Sequence, residues 1–264
     1  MSNRKKVGLA LGSGGARGLA HIGVIKALLE AKIPIDVVVG ASMGAFVGGL
    51  YAAWGDINRL EAEVLRFGYK EWMSMFFDPV WGSGLIKGDK IEKKLKEMVE
   101  DMRIEDLRLP FGAVATDLNT AEVVVIDKGD LARGIRASGS VPLLFEPVMM
   151  GGRHLVDGGV SCPVPVEIAR QMGADVVIAV NLDSVYFLPE NRNIEISSPL
   201  SILKNSLFLL KYHLAEKEVR ESDVVINPLI PYVKDLDFIN KAEIITGGEE
   251  ATRKMMSVIK KLLV

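Results

Sequence analysis

The pentapeptide Gly40-Ala41-Ser42-Met43-Gly44 follows the apolar run Val37-Val38-Val39 and precedes a helical pattern. A serine in a G-x-S-x-G run between strand and helix is the arrangement of a nucleophile elbow. Its strained turn pushes Oγ outward, and small neighbours avoid clashes. The spacing predicts Ser42 as the nucleophile of an acyl-transfer chemistry, with Gly40 and Gly44 as elbow glycines. The Met43 N–H, at the helix start, points the same way as an oxyanion donor. The other reading of these five residues is a plain Gly/Ser turn. A second glycine-rich turn, Leu11-Gly12-Ser13-Gly14-Gly15-Ala16-Arg17-Gly18, stands between the apolar run Val7–Leu11 and another helical pattern. Such a turn presents unpaired N–H groups and a partial positive charge to an anion or oxyanion. It fits neither nucleotide fingerprint. Arg17 stands where the dinucleotide pattern from Gly12 needs glycine, and the Gly-Lys-Ser/Thr of a P-loop is absent. On spacing alone, a tight turn without a ligand fits equally well.

A nucleophilic serine needs a proton acceptor. Of the three histidines, His21 lies in the helix after the glycine-rich turn, where packing or a local hydrogen bond accounts for it. His213 lies in a long helical segment far from both glycine turns and is expected at the surface. His154 stands three residues before Asp157 in an extended run, so the two side chains point to opposite faces. Asp157 closes the short strand His154–Val156 and is followed by Gly158 and Gly159. A loop aspartate there can reach a neighbouring elbow, and it acts as a base if burial raises its pKa. An Asp-Gly turn residue is the alternative.

These residues need a scaffold that brings strand ends together. Apolar, β-branched runs predict strands at Val7–Leu11, Val37–Val39, Phe111–Ala115, Glu122–Ile126, Val176–Val180 and Val224–Ile226. Helices are predicted at Gly18–Ala31, Met43–Trp54, Gly88–Glu100, Leu131–Ala137, Pro163–Met172, Pro199–Arg220 and Lys241–Leu263. The alternation implies an α/β fold, a three-layer α/β/α sandwich with a mainly parallel central sheet. No linker-like stretch divides residues 1–264, so a single domain is expected. Six of the 17 aromatic residues fall between Phe67 and Trp81. Trp72, Phe76, Phe77 and Trp81 there suggest a lid or acyl pocket spanning residues 67–88, against the alternative of a second packed cluster. The Pro199–Arg220 helix is apolar around most of its girth, which predicts burial, with dimer or membrane contact as the minority reading. Cys162 is expected to be a small packed residue.

Composition sets the outer limits. The 264 residues are 49% hydrophobic and 25% charged, ordinary globular usage that excludes a disordered chain. A net charge of −2 argues against a nucleic-acid partner. One cysteine excludes a disulfide framework or a cysteine zinc site, and no metal or cofactor is expected. The start Met1–Leu11 is too short in apolar residues for a signal sequence, and no run approaches a membrane span. A cytoplasmic location is expected, with peripheral membrane association and oligomerisation left open.

Together the motifs resemble those of the patatin-like phospholipases, nearest to the small bacterial members. The resemblance runs from Val7 to about Val180. Gly14-Gly15-Ala16-Arg17-Gly18 looks like the oxyanion loop and Gly40–Gly44 like the elbow. Ala137-Ser138-Gly139-Ser140-Val141-Pro142 resembles the family's Ser/Pro block, and Asp157-Gly158-Gly159 the motif of its aspartate. The resemblance implies a Ser42–Asp157 dyad with no catalytic histidine. It also implies oxyanion N–H groups from Gly14 and Gly15, and a loop shaped by Gly12, Arg17 and Gly18. Ser13 stands where the family often has a first glycine. The expected activity is hydrolysis of lipid acyl esters, such as phospholipids or lysophospholipids, through an acyl-serine. An acyltransferase using the same acyl-enzyme and a non-catalytic acyl-binding regulator are the alternatives.

Overall fold

Four of the apolar runs become neighbouring parallel strands with every residue buried: β1 (Val7–Leu11), β2 (Val37–Ala41), β3 (Phe111–Asp117) and β7 (Val176–Val180). Strands covered on both faces read as continuous apolar runs, which is why they were legible. β8 (Val224–Ile226) extends the parallel set beside β7. β4 (Val123–Ile126) and β6 (Arg153–Asp157) pair antiparallel with β3, and β5 (Val148–Met150) with β6. The sheet runs β5-β6-β3-β2-β1-β7-β8, with β4 also on β3. The computed structural model describes residues 4–75, 78–80, 86–184, 197–230 and 238–263.

Two cores flank this sheet, as a three-layer sandwich requires. Leu9, Leu11, Val38 and Ile178 pack into the larger one, with α1 (Ala20–Glu30), α2 (Met43–Trp54) and α9 (Lys241–Leu263). The alternate residues Ala10, Val37, Val39 and Val177 pack on the other face, against α7 (Val166–Gln171) and the end of α8 (Pro199–Glu218). The mainly parallel α/β/α expectation holds. β1 lies where the strand order reverses, the place where open α/β sheets open a crevice at their carboxyl ends. Leu11 pairs with Gly40, so the two glycine turns leave the same sheet edge side by side.

Three elements escape the sequence reading: β5, α3 (Ile57–Arg66) and α4 (Tyr69–Met75). α3 did carry a signal. Asp56 caps it, accepting from the N–H groups of Asn58 and Arg59 at 3.0 and 3.1 Å, and Ile57, Leu60 and Val64 form its buried stripe. Its other end is tied by the Lys241 ammonium, which donates to the carbonyls of Val64 and Leu65 at 2.8 and 3.1 Å and to that of Phe67. The remaining helices are α5 (Asp89–Val99) and α6 (Leu131–Ser138). The expectation that the Pro199 helix is buried is corrected. Of α8 only Ala215 is buried, and its first half stands in solvent. Apolar periodicity shows which face a helix could bury, not whether the fold covers it.

Candidate functional site

Ser42 joins β2 to α2 with φ 56° and ψ −119°, a backbone region that side chains rarely occupy. Such a conformation costs on the order of 1–3 kcal/mol and persists only where its surroundings enforce it. The enforcement is visible. A Cβ on Gly40 would lie 2.3 Å from the Gly44 carbonyl, and one on Gly44 would lie 2.1 Å from the Leu11 carbonyl oxygen. Both flanking positions are therefore closed to any side chain. The Ser42 N–H donates to Ser138 Oγ at 2.9 Å, and Ser138 Oγ–H donates to the Val114 carbonyl at 2.6 Å. Ser138 thus pins the elbow to β3 from the end of α6. Its place in the Ser/Pro block was noted from the sequence, but this role was not.

Asp157 closes β6 and is 5% exposed. Its N–H donates to the Ser140 carbonyl at 2.9 Å, and its carbonyl accepts from Thr116 Oγ at 3.1 Å. Oδ1 accepts the Gly159 N–H at 2.7 Å. The Ser42 side chain faces the same carboxylate and acts on its ionisation. Burial pushes the Asp157 pKa up. The Ser42 hydroxyl, the Lys211 charge and the Gly159 N–H oppose that rise, while the nearby Asp183 charge adds to it. Gly158 is required by space, since a Cβ there would meet the Val114 carbonyl oxygen at 2.2 Å.

The glycine-rich turn lies against both. The N–H groups of Gly12 and Ser13 are spent on the carbonyls of Val180 and Pro163, at 3.1 and 2.9 Å. The Ser13 N–H is therefore committed to the fold. Gly14 is extended, and Gly15 turns with φ 55° into a short 3₁₀ turn, Gly15–Leu19. A Cβ on Gly18 would strike the Met43 side chain at 2.3 Å, so this turn and the elbow pack in direct contact. Arg17 is 2% exposed and donates to the Leu182 carbonyl at 3.0 Å, with Asp183 at 3.7 Å. Lys211 of α8 reaches the same Asp183 oxygen, at 3.1 Å. This cation–carboxylate–cation set behind the turn joins segments far apart in sequence, and no local pattern announces it.

The histidines lie where expected. His21 is fully buried, its Nε2 2.7 Å from the Gly12 carbonyl, and burial drives its pKa down to about 4. It is neutral at pH 7 and braces the turn. His154 is exposed and contacts Asn119 Nδ2 at 3.3 Å, while His213 is exposed on α8. His154→Ala is accordingly expected to leave turnover of an acyl ester within about twofold of wild type, as surface changes do. A steady-state assay checks this, and a loss of orders of magnitude in a folded variant would require a histidine base.

Gly15, Ser42 and Met43 open onto a cavity of about 120 Å³. Its walls are otherwise nearly all apolar, with Phe46, Phe67, Trp72 and Phe238 on one side and Ile135 and Phe145 on another. Trp72 stacks on Phe238 with ring centres 4.1 Å apart and meets Phe67 edge-on at 5.9 Å. Of the aromatic residues suspected from the sequence, Trp72 lines the cavity, and Phe76, Phe77 and Trp81 lie outside the described residues. Gly14 is beside the cavity but not in its lining. Arg136, missed by sequence reasoning, is 4% exposed in the wall. It donates to Ser140 Oγ at 2.6 Å and to the Lys87 carbonyl at 2.8 Å, and covers the Phe145 ring at 4.8 Å. Among the described residues, no group of three or more His, Cys, Asp or Glu side chains is placed to hold a metal ion.

A family model described as patatin-like phospholipase matches residues 9–170. An uncharacterised NTE family protein of Mycobacterium tuberculosis is 38% identical over 182 residues, covering 69% of this chain and 50% of that protein. Patatin-like phospholipase domain-containing protein 6 of Homo sapiens is 38% identical over 190 residues, covering 67% of this chain and 13% of that protein. This chain therefore spans half or less of the length of these relatives. Among solved structures, VipD from Legionella pneumophila superposes with a TM-score of 0.51 at 15% identity, covering 98% of this chain and 67% of that one. At that identity the likeness concerns the fold.

Proposed function

The chain belongs to the patatin-like phospholipase family, and on that footing we propose that it hydrolyses carboxylic esters of lipids, phospholipids or lysophospholipids among them, through a Ser42–Asp157 dyad. One observation carries the reading: a strained serine, facing a buried carboxylate, stands at the mouth of an apolar cavity. Ser42 Oγ attacks the ester carbonyl carbon as its proton passes to the Asp157 carboxylate. The oxyanion that forms is held by backbone N–H groups of Gly14, Gly15 and Met43, fixed before the reaction begins. Collapse breaks the bond to the alcohol, which leaves with the proton from Asp157, and the acyl group remains on Ser42. A water then attacks the acyl-serine, gives its proton to Asp157, and the fatty acid departs as Ser42 regains its hydrogen.

The cavity takes the acyl chain, with the Trp72–Phe238 stack as its wall. Trp72→Leu is expected to lower kcat/KM for hexadecanoyl esters about tenfold or more and for butanoyl esters less than about threefold, since short chains leave the wall untouched. Equal losses on both would mark the stack as structural. The reading as a whole is tested by hydrolysis of nitrophenyl esters of graded chain length. Turnover that rises with chain length supports it. Absence of turnover on every ester, with a folded protein, would overturn it.

A further inference from the structure

We propose that the outer half of α8 is a docking surface for a lipid bilayer, holding the mouth of the site against it. This inference rests on the proposed lipid-ester chemistry only for its purpose, not for its physical basis. α8 links the parallel strands β7 and β8, so it runs back against them and begins beyond their carboxyl edge, the edge where Ser42 sits. Lys211 fixes its depth. Its ammonium lies 3.1 Å from Asp183, three residues past the end of β7, and its charge acts on Asp157. The twelve residues before Lys211 therefore extend roughly 18 Å outward from the level of the dyad, at 1.5 Å per residue.

What that length carries is unusual for a surface helix. Leu200 and Leu210 are 61% and 66% exposed, and Ile202, Leu203, Leu207 and Leu209 are exposed as well. At 100° per residue, Leu200, Leu203, Leu207 and Leu210 form one stripe, and Ile202 and Leu209 widen it to about half the circumference. A helix at a bilayer interface sinks a broad apolar face of this kind into the boundary between headgroups and acyl chains. The charges agree with that occupant. Along the outer half, Pro199 to Leu210, there is one lysine, Lys204, and no carboxylate to be repelled by anionic headgroups. Among the described residues no helix is long and apolar enough to cross a membrane, so the contact is a peripheral one.

The experiment uses the full chain and vesicles of phosphatidylglycerol and phosphatidylcholine. Ser42→Ala protein, which cannot turn the lipid over, is compared with the same protein carrying Leu203→Glu and Leu210→Glu. Both leucines are exposed, so the fold is expected to survive, as thermal melting checks. Co-sedimentation should fall about tenfold or more in the double-glutamate protein. With Ser42 intact, the two glutamates should leave hydrolysis of a water-soluble butanoyl ester unchanged and depress hydrolysis of a vesicle-borne ester. Unchanged co-sedimentation would overturn the proposal. So would a lipid-free dimer that the glutamates dissociate, because the face would then belong to a second copy. Wild type that binds vesicles through these leucines yet hydrolyses no ester would overturn the proposed hydrolase while supporting the docking surface.

Discussion

Replacing Ser42 by alanine is expected to reduce acyl-ester hydrolysis by about 10⁴-fold or more, the scale seen when a covalent nucleophile is removed. The fold should survive the change. The positive φ at residue 42 is enforced by the contacts of Gly40 and Gly44 and by the Ser138 hydrogen bond to its backbone, none of which involves the hydroxyl. Alanine keeps the Cβ, so the backbone strain is neither relieved nor increased. What is lost is the hydroxyl that faces the Asp157 carboxylate. A steady-state assay beside a melting curve separates the two effects. Retained turnover in a folded Ser42→Ala protein would end the dyad reading.

Asp157→Asn is expected to lose about 10³- to 10⁴-fold in activity, because an amide cannot accept the serine proton. Its stability should move the other way at neutral pH. Burial raises the pKa of Asp157 above its unfolded value. Between the two pKa values the folded state binds more protons than the unfolded one, so stability falls as pH rises through that window. Asparagine removes that loss and is expected to melt at or above the wild-type temperature at pH 7. Wild-type activity has the opposite dependence. The base must be ionised, so kcat/KM falls as the medium is acidified, on a limb lying above that of an ordinary aspartate. A pH–rate profile alongside melting at several pH values checks both signs. An Asp157→Asn protein that is both active and less stable would contradict the assignment.

Much of this site is local and therefore legible. The elbow could be recognised because its pattern fits within five residues, although only the Gly40 contact with Gly44 is local and the Gly44 contact is with the Leu11 carbonyl. β1, β7 and α2 could be bounded from their apolar runs and flanking glycines, since burial on both faces leaves no polar position to blur the pattern. What lay hidden depends on contacts between distant segments. Arg136 reads as an ordinary charge on α6, yet the fold buries it among the Lys87 carbonyl and Ser140. Asp183 acquires meaning only when Arg17 and Lys211 arrive from positions 166 residues before it and 28 after it. β5 is three residues long and has exposed Met149 at its centre, too short for a period to register. α8 was misjudged for a different reason, because its apolar girth is real and the fold leaves it uncovered.

The most direct measurement of the central claim is covalent labelling with a fluorophosphonate, mapped by mass spectrometry of the intact protein and its peptides. An activated serine reacts with this probe without needing the correct lipid. The account predicts one adduct, on the peptide containing Ser42, formed in the wild type and strongly slowed in Asp157→Asn. An adduct elsewhere, or labelling of Ser42 that is indifferent to Asp157, would contradict it.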